Sequence, residues 1–170
     1  MFKYILIVNG LPRSGKTTFG HILHEFMPVW SYSSVTKIKK MAMVCGWDKS
    51  MKTEKDRKFL SDLKKVTTEY NDFVFNDLKR VVNQFYEQDQ YKFLLIDIRE
   101  PEEIERAVER FGAKTVFIEN YRAEEVTSNP SDARVREYNY DYKICNNSTL
   151  EVFRNEIARF VAQLFWDTIM

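Results

Sequence analysis

Glycine, proline and cysteine are all scarce in this chain of 170 residues, and each scarcity excludes something. Five glycines and four prolines supply no low-complexity linker, and no internal repeat is visible. Cys45 and Cys145 stand apart, with no C-x-x-C pair and no histidine-rich company, so neither a disulfide framework nor a zinc site is indicated. Isolated thiols suit a reducing compartment. A long apolar run is missing too. The longest early one, Tyr4 to Val8, is too short for a signal or membrane segment, so a cytoplasmic protein without a membrane partner is expected.

An excess of charge of either sign is also lacking. Lys and Arg number 26 and Asp and Glu 25, a net charge of +1, which removes the compositional support for a stable nucleic-acid partner. The balance is nevertheless uneven. Residues 1–50 carry seven basic and two acidic side chains, 51–100 ten of each, and 101–170 nine and thirteen. The positive N-terminal portion suits an anionic ligand.

What is present reads as one α/β domain. Phe2 to Val8 is a near-continuous apolar run of strand length, the mark of a strand buried on both faces. Lys16 to Phe26 has helical spacing at Phe19, Ile22, Leu23 and Phe26. Val29 to Ser33 is weakly strand-like, and Val35 to Val44 reads as a helix ended by Gly46. Glu54 to Gln88 is a long helical stretch with an expected break near Thr67–Thr68. Tyr91 to Ile98 is the strongest strand signal. Pro101, Glu102 and Glu103 open a helix that Gly112 closes. Thr115 to Ile118 and Asp141 to Cys145 read as strands, Glu119 to Glu137 as a polar loop, and Thr149 to Trp166 as an amphipathic helix. Alternating strands and helices imply a parallel sheet covered on both faces.

GLPRSGKT, Gly10 to Thr17, matches G-x-x-x-x-G-K-[ST] in full, between an expected strand and an expected helix. Gly10 and Gly15 permit backbone geometry that turns successive N–H groups toward one anion, and the helix beginning near Lys16 adds its positive end. Lys16 is placed to reach the β- and γ-phosphates of a nucleotide and Thr17 to ligate Mg²⁺. Arg13, Ser14 and Thr18 belong to the same nucleotide-binding set. Asp97, at the end of LLIDI, is the expected second group for the metal, through water.

The absence of N/T-K-x-D and of D-x-x-G argues against a GTPase, and the chain has no room for the extra helical domain of a remodelling ATPase. A small-molecule phosphotransferase remains. An acceptor that is itself a phosphate calls for arginines from several segments and needs no general base, and none is conspicuous. Arg13, Arg57, Arg99, Arg122, Arg134 and Arg136 lie in or beside expected loops or the helical stretch. Lys37, Lys39 and Lys40 read more readily as a solvated helix face than as a nucleic-acid stripe. Trp30, Tyr32, Trp47 and Phe59 are candidates for stacking on an acceptor, against the simpler reading as core. His21 and His24 lack the carboxylates of a metal site.

The segments VNGLPRSGKTTF, SYSSVTKIKKMA, KTEKDRKFLSDLK, LIDIREPEEIE and YDYKICNNSTLEVF follow one another in an order that resembles phage-type deoxynucleoside monophosphate kinases. Animal-type phosphomevalonate kinases look similar over the same layout. The resemblance implies a three-layer P-loop fold with a parallel sheet of about five strands, a helical acceptor-binding insertion at about 34–88 and a short lid at about 120–137. It places Lys37, Arg57 and Arg99 toward the acceptor. Arg122, Arg134 and Arg136 would serve the donor phosphates or lid closure, and Asn146 would lie near the donor base. ATP with Mg²⁺ is the implied donor, and a (deoxy)nucleoside monophosphate the leading acceptor. A phosphomevalonate-type or other small-metabolite kinase is the alternative, as is a nucleotide-binding module without transfer activity. A monomer or homodimer is expected.

Overall fold

The computed structural model describes residues 2–50, 53–123 and 134–169. These fall into two compact units. One comprises the residues up to Ser31 together with those from Asp89 onward, and the other spans Tyr32–Gln88.

The first unit is built on a five-stranded sheet. In chain order its strands are β1 (Tyr4–Asn9), β2 (Val29–Ser33), β3 (Phe93–Asp97), β4 (Lys114–Glu119) and β5 (Tyr142–Cys145), and their spatial order is β2-β3-β1-β4-β5. β1 pairs in parallel with β3 and β4, and β4 pairs in parallel with β5. The register sets Ile7 beside Ile96 and Thr115. All six residues of β1 are buried, as a central strand covered on both faces requires.

Three helices belong to this unit: α1 (Lys16–Phe26), α5 (Pro101–Phe111) and α6 (Leu150–Ile169), numbered with the three helices of the second unit below. Tyr4, Leu6 and Val8 point to one face of the sheet, where α1 supplies Phe19 and Leu23 and α6 supplies Phe153, Ile157 and Phe160. Ile5, Ile7, Leu94 and Ile96 point to the other face and are equally buried, which completes a three-layer α/β arrangement. The hydroxyls of Tyr4 and Tyr142 secure the end of α6 by donating to Thr168 Oγ1 (3.1 Å) and Asp167 Oδ2 (2.8 Å). Burial, and then the Asp167 carboxylate, push the Tyr142 phenol up to about 12. α5 begins with Pro101 in its first turn, followed by Glu102 and Glu103, and ends at Gly112 in the left-handed conformation, φ 63°.

The second unit holds α2 (Thr36–Val44), α3 (Glu54–Asn71) and α4 (Phe73–Glu87). A reciprocal cap between Thr53 and Asp56 starts α3. The expected break at Thr67–Thr68 is a misplacement. Thr67 Oγ1 donates back to the carbonyls of Leu63 and Lys64, so the β-branched pair is accommodated within α3. The break lies at Asp72, whose φ of 55° ends α3 and precedes α4. α4 buries Leu78, Val81, Val82 and Phe85 along one stripe, and also Asp77. Most of the expected lid, residues 124–133, lies outside the described residues, and the segment after it begins with a 3₁₀ turn, Arg134–Arg136.

Candidate functional site

β1 delivers the chain at its carboxyl end into a loop whose backbone is unusual at three positions. Gly10 has φ 151°, Arg13 φ 63° and Gly15 φ 107°. At the two glycines the constraint is also steric. A Cβ on Gly10 would stand 2.5 Å from the Ile118 carbonyl oxygen, and one on Gly15 would stand 2.3 Å from Asn146 Nδ2. Gly15 is the N-cap of α1, and no acidic residue occupies the first turn to offset the helix's positive end.

Hydrogen bonds hold the loop from inside and from behind. Ser14 N–H donates to the Leu11 carbonyl at 3.1 Å. The Lys16 ammonium lies over the loop and donates to the carbonyls of Gly10 (2.6 Å) and Leu11 (2.8 Å). Asn146, just past β5, donates from Nδ2 to the Ser14 carbonyl at 2.8 Å. Asn9 Nδ2 donates to the Ile98 carbonyl at 2.6 Å, tying the ends of β1 and β3. Ser14 is fully buried, and its hydroxyl has no hydrogen-bond partner among the described residues.

That orphaned hydroxyl, the uncompensated helix end and the lysine above it make a cradle suited to a phosphate chain. Thr17 is exposed and Thr18 half-buried in the first turn of α1. Asp97 ends β3, the strand beside β1, and Arg99 Nε lies 3.6 Å from Asp97 Oδ1. Among the described residues no group of three or more His, Cys, Asp or Glu side chains could hold a metal. Thr17 and Asp97 therefore fit only an ion that brings most of its own ligands, as Mg²⁺ does with waters and phosphates.

The structure thus gathers Gly10, Ser14, Gly15, Lys16, Thr17, Asp97, Arg99 and Asn146 at the carboxyl ends of β1, β3 and β5. Arg13 is exposed on the loop, and Arg122 is exposed beyond β4, its N–H held by Asn120 Oδ1 at 2.9 Å. Arg134 forms ion pairs with Glu102 (2.8 Å) and Glu137 (3.0 Å), which raise its pKa, and the same contact lowers that of Glu102. Arg136 is exposed on the same turn.

Lys37 and Arg57 belong to the helical unit. The Lys37 ammonium is 2.7 Å from Asp77 Oδ1, which Arg80 also reaches at 2.6 Å, and the Tyr32 hydroxyl donates to Asp77 Oδ2. Burial, with the Asp77 bond second, raises the Tyr32 pKa well above its usual value. This cluster was missed by sequence reasoning. Its signal was an aspartate within the apolar stripe of α4. Arg57 is exposed on α3. Of the two histidines, His24 accepts the Val29 N–H through Nδ1 at 3.1 Å, a structural use. Trp30 packs on Tyr91 with ring centres 5.6 Å apart.

No helix among the described residues is long and apolar enough to cross a membrane. No protein-family model and no curated protein matches the chain. Solved structures do match it. TT1252 from Thermus thermophilus is 15% identical, with 96% of this chain and 99% of that chain covered at a TM-score of 0.57. Shikimate kinase from Aquifex aeolicus is 14% identical, with 97% and 98% covered at a TM-score of 0.50. At such identities the likeness is one of fold: this chain has the three-layer P-loop α/β architecture over almost its whole length.

Proposed function

We propose that this chain is an ATP-dependent kinase that transfers a γ-phosphoryl group to a small phosphorylated acceptor, a (deoxy)nucleoside monophosphate before others. The observation that carries the reading is the phosphate loop, complete in sequence and set between β1 and α1 with Lys16 over its carbonyls.

In this reading the loop N–H groups and the positive end of α1 bind the donor phosphates, and Ser14 supplies a hydroxyl. Lys16 exchanges the Gly10 and Leu11 carbonyls for β- and γ-phosphate oxygens. Thr17 and Asp97 hold Mg²⁺, which when bound neutralises the charge on those oxygens. Arg99, next to the strand end, is read toward the acceptor phosphate, and within the helical unit Lys37 and Arg57 are the acceptor residues that the resemblance implies. Arg122, Arg134 and Arg136 serve the transferred group. The exposed pairs that hold Arg134 are weak enough to be exchanged for a phosphate. An acceptor oxygen attacks the γ-phosphorus, the bond to the β–γ bridging oxygen breaks, and ADP leaves. The acceptor is already ionised, so no side chain needs to remove a proton.

The test is ADP formation with a panel of nucleoside monophosphates, phosphomevalonate and other phosphorylated metabolites. One acceptor is expected to raise turnover well above the water background. If none does, the reading fails, and ATP binding by calorimetry without turnover would favour a non-catalytic nucleotide-binding module.

A further inference from the structure

The 3₁₀ turn Arg134–Arg136 buries the residue between its two arginines, Val135, which is 1% exposed. Val135 sits in a small cluster of its own with Leu11, Phe117 and Tyr140, all within the first unit. Leu11 belongs to the phosphate loop, and its carbonyl accepts from the Ser14 N–H and the Lys16 ammonium. The turn that carries Arg134 and Arg136 is therefore packed against the loop itself.

A buried polar chain runs through the same place. The Tyr140 hydroxyl donates to the Val135 carbonyl at 2.8 Å. Burial pushes the Tyr140 phenol up, and a hydrogen bond from the Asn9 side chain pulls it back. Asn9, buried at the end of β1, also donates from Nδ2 to the Ile98 carbonyl, and its Oδ1 has no hydrogen-bond partner among the described residues. An amide nitrogen carries two N–H groups, so it can serve both partners at once. One end of the chain is thus the carbonyl between Asp97 and Arg99, and the other is the carbonyl between Arg134 and Arg136.

Cohesion alone does not call for this chain. A phenylalanine in place of Tyr140 fills the same space beside Phe117 and Tyr138, whose ring centres each lie 5.1 Å from that of Tyr140. The hydroxyl adds direction, because a satisfied buried hydrogen bond fixes a backbone orientation that apolar packing leaves looser. The need for it arises at the arginines. In the kinase reading Arg134 exchanges Glu102 and Glu137 for a phosphate, and those exposed pairs then no longer hold the turn. The bond to the Val135 carbonyl survives that exchange, since it uses only the backbone of the turn.

We propose that Tyr140 and Val135, with Asn9 behind them, are positioning residues for phosphoryl transfer: they set Arg134 and Arg136 in register with the phosphate loop and with Asp97 and Arg99. The proposal rests on the kinase reading and adds three residues to which that reading gave no part.

Tyr140→Phe keeps the ring and removes the hydroxyl. In the ADP assay, with the panel acceptor of highest turnover, kcat is expected to fall about ten- to hundredfold while the KM for ATP stays within about twofold. A merely structural hydroxyl lowers the urea midpoint and leaves the kcat of the folded protein unchanged, and that result overturns the proposal. So does a raised KM for ATP at unchanged kcat, which places the effect on the loop instead of the turn. A second arm uses Arg134→Ala/Arg136→Ala, which removes the groups through which Tyr140 acts. Adding Tyr140→Phe to that variant should lower kcat no further, and an equal loss with and without the arginines overturns the proposal. If Tyr140→Phe does not fold, Val135→Ala, which loosens the contact with Leu11, is carried through the same two arms with the same expectations. An unaltered chain that forms no acceptor-dependent ADP fails the kinase reading and this proposal with it. Turnover there, with unchanged kcat in Tyr140→Phe, fails this proposal alone.

Discussion

Replacing Gly15 by alanine sets a methyl group 2.3 Å from Asn146 Nδ2 on a backbone with φ 107°. Two costs follow, and they separate experimentally. The first belongs to the backbone: a Cβ in left-handed space costs about 1–2 kcal/mol wherever its neighbours lie. The second is contact. Asn146 must move away, and its 2.8 Å bond to the Ser14 carbonyl is lost, at about 0.5–1.5 kcal/mol plus whatever strain the displacement leaves. Gly15→Ala is therefore expected to lose about 2–4 kcal/mol in urea denaturation, and Asn146→Ala alone about 1 kcal/mol. In the double variant the methyl has room, because the next atom it would approach is Phe153 Cε1 at 3.7 Å. Its loss should fall short of the summed single losses by about 1–2 kcal/mol. ATP affinity should follow the same pattern, nearly abolished in Gly15→Ala and partly restored in the double variant. Additivity within about 0.5 kcal/mol would refute the clamp, since independent sites add to that precision.

Lys16→Ala should lower phosphoryl transfer by roughly 10²–10³ with little change in denaturation midpoint, read by coupled ADP assay and urea titration. Asp77→Ala should cost about 1–3 kcal/mol in the same titration, because it strips the buried carboxylate from Tyr32, Lys37 and Arg80. Lys37→Ala should cost less, its side chain being one-third exposed. Alkaline unfolding should report Tyr142, whose phenol is raised from 10.0 to about 12. The neutral form is the one favoured by folding, so its contribution is present below the unfolded value and lost as pH rises between those two values. Tyr142→Phe should flatten the stability–pH curve in that window, and an unchanged slope would show that the shift is not coupled to folding.

The parts of the molecule that sequence made legible are those where one local signal suffices. An apolar run, a glycine-framed motif and an amphipathic repeat define β1, the loop and α1 without reference to anything distant. Pro101, the two glutamates and Gly112 frame α5 in the same way. What stayed hidden depends on partners far along the chain. Thr67 looked like a break because its side chain can compete with the helix, whereas here it bonds within it. Lys37 looked like part of one basic face, and only the fold reveals that Asp77 draws it away from Lys39 and Lys40. Asn146 could be placed near the nucleotide by resemblance, but its contact with Gly15 and Ser14 needed coordinates.

The bond from Asn146 to Ser14 spans 132 residues, and that from Asn9 to Ile98 spans 89. The phosphate loop leaves the ribosome before either Ile98 or Asn146, so its clamps are made later than the loop itself. A nascent chain can form β1 and begin α1 while the loop still lacks what holds its backbone in place. Competence to grip a phosphate should therefore arrive abruptly, once β5 docks against β4, rather than growing with chain length.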